Sequence, residues 1–148
     1  MLVRSGLFIF ALLLTPVVQA SELNSELAQA EHRALFNYQM FCQGCHSADG
    51  SGHKSVPQLK NSMNKFMASQ QGREYLIRVP GAANSVLDDE QLTELMNWML
   101  RNFTDSSNAP TWKPYEVHEI SEHRQSPLYE TVEYRRNLIA NLELEPDL

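Results

Sequence analysis

Apolar residues recur along this chain at helical spacing, and no segment shows the two-residue alternation of a half-buried strand. From Ser25 to Cys42, Leu27, Ala30, Ala34, Leu35, Tyr38 and Phe41 fall on one stripe, which predicts a first helix with Ser25 as a plausible cap. The stretch from Ser47 to Lys60 has no such stripe. Asp49-Gly50-Ser51-Gly52 is turn-prone and Pro57 stops any helix, so a loop is expected. Asn61 to Arg78 carries Met63, Phe66, Met67, Tyr75, Leu76 and Ile77, predicting one or two short helices with a break at Gln70-Gln71-Gly72. Val79-Pro80-Gly81 reads as a turn.

The strongest helical signal follows. Asp88 is a good N-cap, Asp89 and Glu90 suit a first turn, and Leu92, Leu95, Met96, Met99 and Leu100 form an apolar face ending near Phe103. Thr104 to Pro114 is polar and proline-containing, as a linker would be. Tyr115–Arg124 and Pro127–Leu144 predict two further helices, the second bearing Leu128, Val132, Leu138, Ile139 and Leu142. Residues 146–148 should fray. The expected fold class is all-α.

The N-terminal end has a different character. Arg4 precedes an eight-residue apolar run, Leu7 to Leu14, then Pro16 and a small-residue stretch ending at Ala20. This is the pattern of a secretory signal peptide over residues 1–20, cut before Ser21. The run is much shorter than the ~20 apolar residues of a membrane span, and no later stretch would cross a bilayer, so none is expected after cleavage. The domain organisation read from the sequence is therefore a leader (1–20), a helical domain (21–104), and a linker with a helical extension (105–148). Removing Arg4 takes the formal charge from −6 to −7. An acidic exported chain gives no electrostatic case for nucleic acid. It favours basic patches on protein partners, although mild acidity also serves solubility alone.

The chemistry concentrates in Cys42-Gln43-Gly44-Cys45-His46, which contains both cysteines of the protein. C-x-x-C-H is the attachment signature of c-type haem: two thiols for two vinyl groups and an adjacent imidazole for the iron. The competing readings are a disulfide, favoured by export, a thioredoxin-like redox pair, which needs a β-α-β context, and zinc, which needs two further ligands. His53 is the only other histidine nearby.

With that motif, the order of helix, C-x-x-C-H, Gly/Pro loop, middle helices and a last helix of L-x-x-x-x-L-x-x-W form makes residues 26–103 resemble the class I monohaem cytochromes c. The resemblance covers about three fifths of the chain after the leader. It implies a helical domain around one covalent haem c. It also implies that the Pro57 carbonyl holds the proximal imidazole of His46, that Tyr38 packs on Trp98, and that Ala34 sits at a helix crossing. The family usually places a distal methionine just before the last helix, often as Met-Pro. Val79-Pro80 stands there instead, and Arg78 to Leu87 contains no Met, His, Cys or Lys.

Three substitutes for the sixth ligand stay open: Met63 or Met67, one turn apart on a common helical face; His53 from the loop; or no protein ligand. Met40, Met96 and Met99 are expected in the core, and His32, His118 and His123 on the surface. Arg73 or Arg78, near Tyr75, would meet haem propionates. The function implied is a periplasmic one-electron carrier working with redox proteins such as a periplasmic dehydrogenase or another cytochrome, with no catalytic residues. The alternatives are a haem protein with an open sixth site, acting as a small-ligand binder or a peroxidase-like enzyme with His53 as acid–base group, and a cytochrome subunit of a larger dehydrogenase that docks through the extension.

Overall fold

The structure is a computed structural model that describes residues 16–53, 55–104 and 112–144, with side chains from residue 21 to residue 142 within those ranges. The leader's Arg4 and Leu7 to Leu14, most of the predicted linker and residues 146–148 lie outside the described residues. Eight helices follow in order: α1 (Pro16–Phe41), α2 (Gln43–His46), α3 (Met63–Phe66), α4 (Gln70–Arg78), α5 (Pro80–Ala83), α6 (Asp89–Phe103), α7 (Val117–His123) and α8 (Thr131–Leu144). Among the described residues there is no strand, only an isolated bridge between His53 and Val56. The domain is all-α, as expected. No described helix is long and apolar enough to cross a membrane.

α6 is the spine. Asp88 accepts from the Gln91 backbone at 2.8 Å, and the Gln91 side chain accepts from the Asp88 backbone at 3.2 Å, so two backbone donors are satisfied reciprocally. Leu92, Leu95, Met96, Trp98, Met99, Leu100 and Phe103 are all buried, matching the periodicity. α1 crosses this helix on a narrower face than its stripe suggests. Ala34 and Tyr38 are fully buried and Asn37 nearly so, but Leu27 and Phe41 are about half exposed and Leu35 is also outside the core. Ala34 lets the backbones approach, and Tyr38 fills the space between Trp98 (centroids 5.5 Å apart) and Phe103 (5.0 Å). Two exposed ion pairs, Arg33–Glu94 at 2.7 Å and Arg101–Glu31 at 2.5 Å, flank the crossing. Met40, expected in the core, is 60% exposed because it lies on the face of α1 turned away from α6.

The middle segment breaks elsewhere than expected. Gln70-Gln71-Gly72 is the first turn of α4, capped by the Ser69 hydroxyl, which accepts from Gly72 N at 3.0 Å. The break falls at Met67–Ser69. Gly72 is required for contact rather than for a turn: a Cβ there would lie 1.9 Å from the carbonyl oxygen of Phe66. Val79-Pro80-Gly81 also differs. Pro80 starts the single-turn helix α5, since proline at the first position loses no intrahelical bond.

The C-terminal extension packs on the core and shares its apolar cluster. Tyr115, Ile120, Leu128 and Leu138 are buried together with residues of α1, α3, α4 and α6. Asn97 of α6 pairs with the Tyr115 backbone as a strand would, donating to its carbonyl at 3.0 Å and accepting from its N–H at 2.8 Å. Arg73 forms a two-pronged bond with Glu119 at 2.6 and 2.8 Å, donates to the Lys113 carbonyl, and lies 4.6 Å from the centre of the Tyr115 ring. Arg124 reaches back to the carbonyls of Ser85 and Leu87 and to Asp89. α7 and α8 are a strap across the bundle. Val132, one of the apolar residues read along this helix, is 72% exposed.

Gly72→Ala should therefore destabilise the fold by about 3 kcal/mol, the cost of forcing a methyl group into packed backbone. Gly81→Ala is the paired control, since a Cβ there meets nothing within 4 Å; it should be neutral or stabilising by up to about 1 kcal/mol. Urea denaturation of both variants measures the difference.

Candidate functional site

The end of α1 delivers Cys42 directly into α2. The backbone N–H of Cys45 and that of His46 both bond to the Cys42 carbonyl, at 3.1 and 3.0 Å. This turn places Cys42, Cys45 and His46 on one wall of a cavity of about 360 Å³, a volume within the ~300–1,000 Å³ range of small-molecule and cofactor sites. Both thiols are free. Burial, and next the neighbouring Cys45 sulfur, push the Cys42 thiol up to about 11.

The loop after α2 folds back onto the histidine. Ser47 N bonds to Gln43 O, and Gly52 N bonds to the His46 carbonyl at 3.1 Å. Gly52 has φ +74°, and a Cβ there would sit 2.6 Å from Val56 O and 3.0 Å from the Pro57 carbonyl carbon. Only glycine permits that approach. The result is a 3.0 Å contact between His46 Nδ1 and the Pro57 carbonyl oxygen. A carbonyl can only accept, so Nδ1 carries the proton and Nε2 keeps its lone pair on a ring that lines the cavity. Burial lowers the His46 pKa below its ordinary value; the bond to Pro57 opposes this but is the smaller effect.

The other walls are mostly apolar, with Ser55, Gln58, Ser62 and Ser85 among their residues. Val56 and Leu59 come from the loop, Tyr75 and Leu76 from α4, and Leu92 and Leu95 from α6. Val79, Pro80 and Ala82 also line the cavity, and none has an atom that binds a metal. Of the three side chains the sequence offered as a second axial ligand, Met63 alone lines it. Met67 is buried but borders a separate groove with Trp112 and Glu119. The two methionines are both buried at α3, but Met67, its C-cap, borders the other groove and not the cavity. His53 is exposed in the loop and outside the cavity lining.

Two pairs of lining residues escaped the sequence reading. Met96 and Met99 are in the core as expected, but they also line the cavity. Thr131 and Arg135 line it too, from α8. The periodicity of α6 gives the two methionines as inward-facing but not what they face. Nothing in the sequence ties α8 to residues ninety positions earlier.

Arg73 and Arg78 are absent from the lining. Arg73 binds Glu119, and Arg78 donates to Ser126 O at 2.8 Å. His32 and His118 are exposed and His123 is half-buried. Among the described residues, no three His, Cys, Asp or Glu side chains gather as a metal cluster. The donor set is instead two thiols, one neutral imidazole and thioethers around an apolar space. That set could hold a largely apolar cofactor through sulfur and nitrogen.

In the polypeptide alone, His46 should titrate below 6.5. A depressed folded value means that its stability contribution is complete above the unfolded value and is lost as pH falls through the folded one. Ring-nitrogen NMR at pH 7 should find Nδ1 protonated and Nε2 bare; a midpoint at or above 6.5 would contradict this. No family model, curated protein or solved structure matches this chain.

Proposed function

We propose that Cys42, Cys45 and His46 hold one covalent haem c in this cavity, in a cytochrome c-like arrangement, and that the protein carries single electrons between periplasmic redox partners. The observation that carries this reading is the 3.0 Å contact of His46 Nδ1 with the Pro57 carbonyl, beside two free thiols on the same wall. A haem bound there would supply a one-electron Fe(III)/Fe(II) couple. The chain's own groups do the rest. Pro57 fixes the tautomer and orientation of the imidazole and raises its basicity. Leu76, Leu92 and Leu95 line the cavity with apolar surface, which would lower the dielectric felt by a bound haem. Met63 is the thioether we assign to the second axial position. The Tyr38–Trp98 packing and the fully buried Ala34 also agree with the family resemblance.

One observation favours a second reading. Val79 and Pro80 line the cavity where the family would offer a methionine. If Met63 does not reach the metal, the sixth position is open and the protein is a small-ligand binder. The peroxidase-like version lacks support from His53, which is exposed and outside the cavity lining.

Expression in a periplasm equipped for haem attachment should give a protein that retains haem on a denaturing gel. Cys42→Ala and Cys45→Ala should each leave a single thioether, and the double variant should retain none. Absence of covalent haem in the wild type overturns the proposal. Met63→Ala should convert a low-spin spectrum to a high-spin one that binds carbon monoxide. An unchanged low-spin spectrum would transfer the ligand role to Met96 or Met99, distinguished by replacing each with leucine. A wild type already high-spin establishes the open-site reading.

A further inference from the structure

We infer that Arg135, on the C-terminal strap, is the anion-binding group of the cavity and ion-pairs the carboxylates of the cofactor bound there. The inference rests on the haem reading above, since haem is an apolar plate bearing two carboxylates on one edge. It goes beyond that reading by giving the strap a role in the site.

Arg135 lines the cavity with Thr131, one helical turn before it on α8. Its guanidinium carbon lies 5.6 Å from the centre of the Phe66 ring, and Phe66 lines the same cavity. The neighbouring Tyr134 ring stacks on Tyr75, nearly parallel (8°) at 5.9 Å, and Tyr75 is another wall residue. These two aromatic contacts tie α8 to the cavity walls and leave Arg135, among the described residues, the one charged arginine or lysine side chain lining a mostly apolar chamber.

Arg135 differs in its partners from the arginines of the bundle and of α7, and in its partial burial from its exposed neighbour Arg136. Arg33, Arg73, Arg101 and Arg124 each bind a carboxylate, and Arg78 binds a backbone carbonyl. Among the described residues no acidic group pairs with Arg135, although its side chain is half-buried. A partly desolvated cation without a counter-charge is unfavourable, and a carboxylate presented from the cavity would offset this with a two-pronged bond. Arg73 and Arg78, the candidates offered by the sequence, are engaged with Glu119 and Ser126 of the strap. The middle segment therefore uses its arginines to hold the strap, and the strap returns one to the cavity.

The test uses the full-length protein carrying covalent haem, comparing Arg135→Gln, Arg135→Lys and Arg136→Gln, the last at an exposed site on the same helix. Haem staining and far-UV circular dichroism check attachment and folding, and potentiometric titration reads the site. Loss of a cation beside the carboxylates favours the oxidised form. Arg135→Gln should thus lower the potential by about 59 mV, a tenfold change in a one-electron equilibrium. Arg135→Lys should recover most of the shift, and Arg136→Gln should move it little. Trypsin cleavage after residue 135 should also be slower in the haem-loaded wild type than in the Cys42→Ala/Cys45→Ala polypeptide. Haem-loaded Arg135→Gln with the potential of Arg136→Gln overturns the inference and leaves the haem reading intact. Absence of haem from the wild type overturns both.

Discussion

Tyr38 couples the scaffold to the site. Its ring is fully buried where α1 crosses α6, between Trp98 and Phe103, and those two rings also meet edge to face at 5.6 Å. Its hydroxyl donates to the Ser47 carbonyl at 2.5 Å, at the start of the loop that returns Pro57 to His46. Burial is the main cause that pushes this hydroxyl up to about 12, so it remains a donor across the neutral range. One side chain thus sets both the helix crossing and the origin of the loop. Cys42 N bonds to the Tyr38 carbonyl at 2.9 Å, which ties the first thiol to the same residue.

The loop is short of regular structure but not of constraints. Gly50 O accepts from both Leu59 and Lys60, at 2.7 and 3.0 Å, while Asn61 N bonds to the Phe103 carbonyl at 2.7 Å. Its two ends are therefore fastened to the C-terminal end of α6 and to the turn after α2. Between them, the positive φ of Gly52 lets the chain turn beneath Val56. The Nδ1 side of the His46 ring is held by a backbone carbonyl, whose place depends on glycine at position 52.

Much of this was legible in the sequence, for identifiable reasons. α6 reads correctly because cap, first-turn acids and apolar period agree with one another. The Pro57–His46 contact was anticipated only through the family resemblance, which places a proline carbonyl on the imidazole; the residue pattern of the loop alone gave a turn. α1 misled because a continuous apolar stripe was taken as a continuous contact, when a single crossing buries little beyond Ala34, Asn37 and Tyr38. Gly72 was read as a helix breaker. Its actual constraint is the close approach of the Phe66 carbonyl, which no local pattern encodes. The strap was the least legible element. Its fastening depends on pairs forty or more positions apart, such as Arg73 with Glu119, and on Tyr75 meeting Tyr134.

The strap also changes what the acidic charge of the chain means for the site. The cavity walls carry almost no charge, so their potential is set by a few nearby groups rather than by the net charge. Arg73 and Arg124 are largely buried and each is neutralised by a carboxylate, Glu119 and Asp89. Such neutral pairs contribute little field at a distance. An unpaired Arg135 at the rim is then the dominant fixed charge near the chamber, despite a formal net charge of −6 for the whole chain. Surface acidity can steer a basic partner from outside, while the interior keeps a local positive edge. The strap thus lines the cavity with one cation, Arg135, and leaves carboxylates such as Glu116 and Glu122 facing solvent.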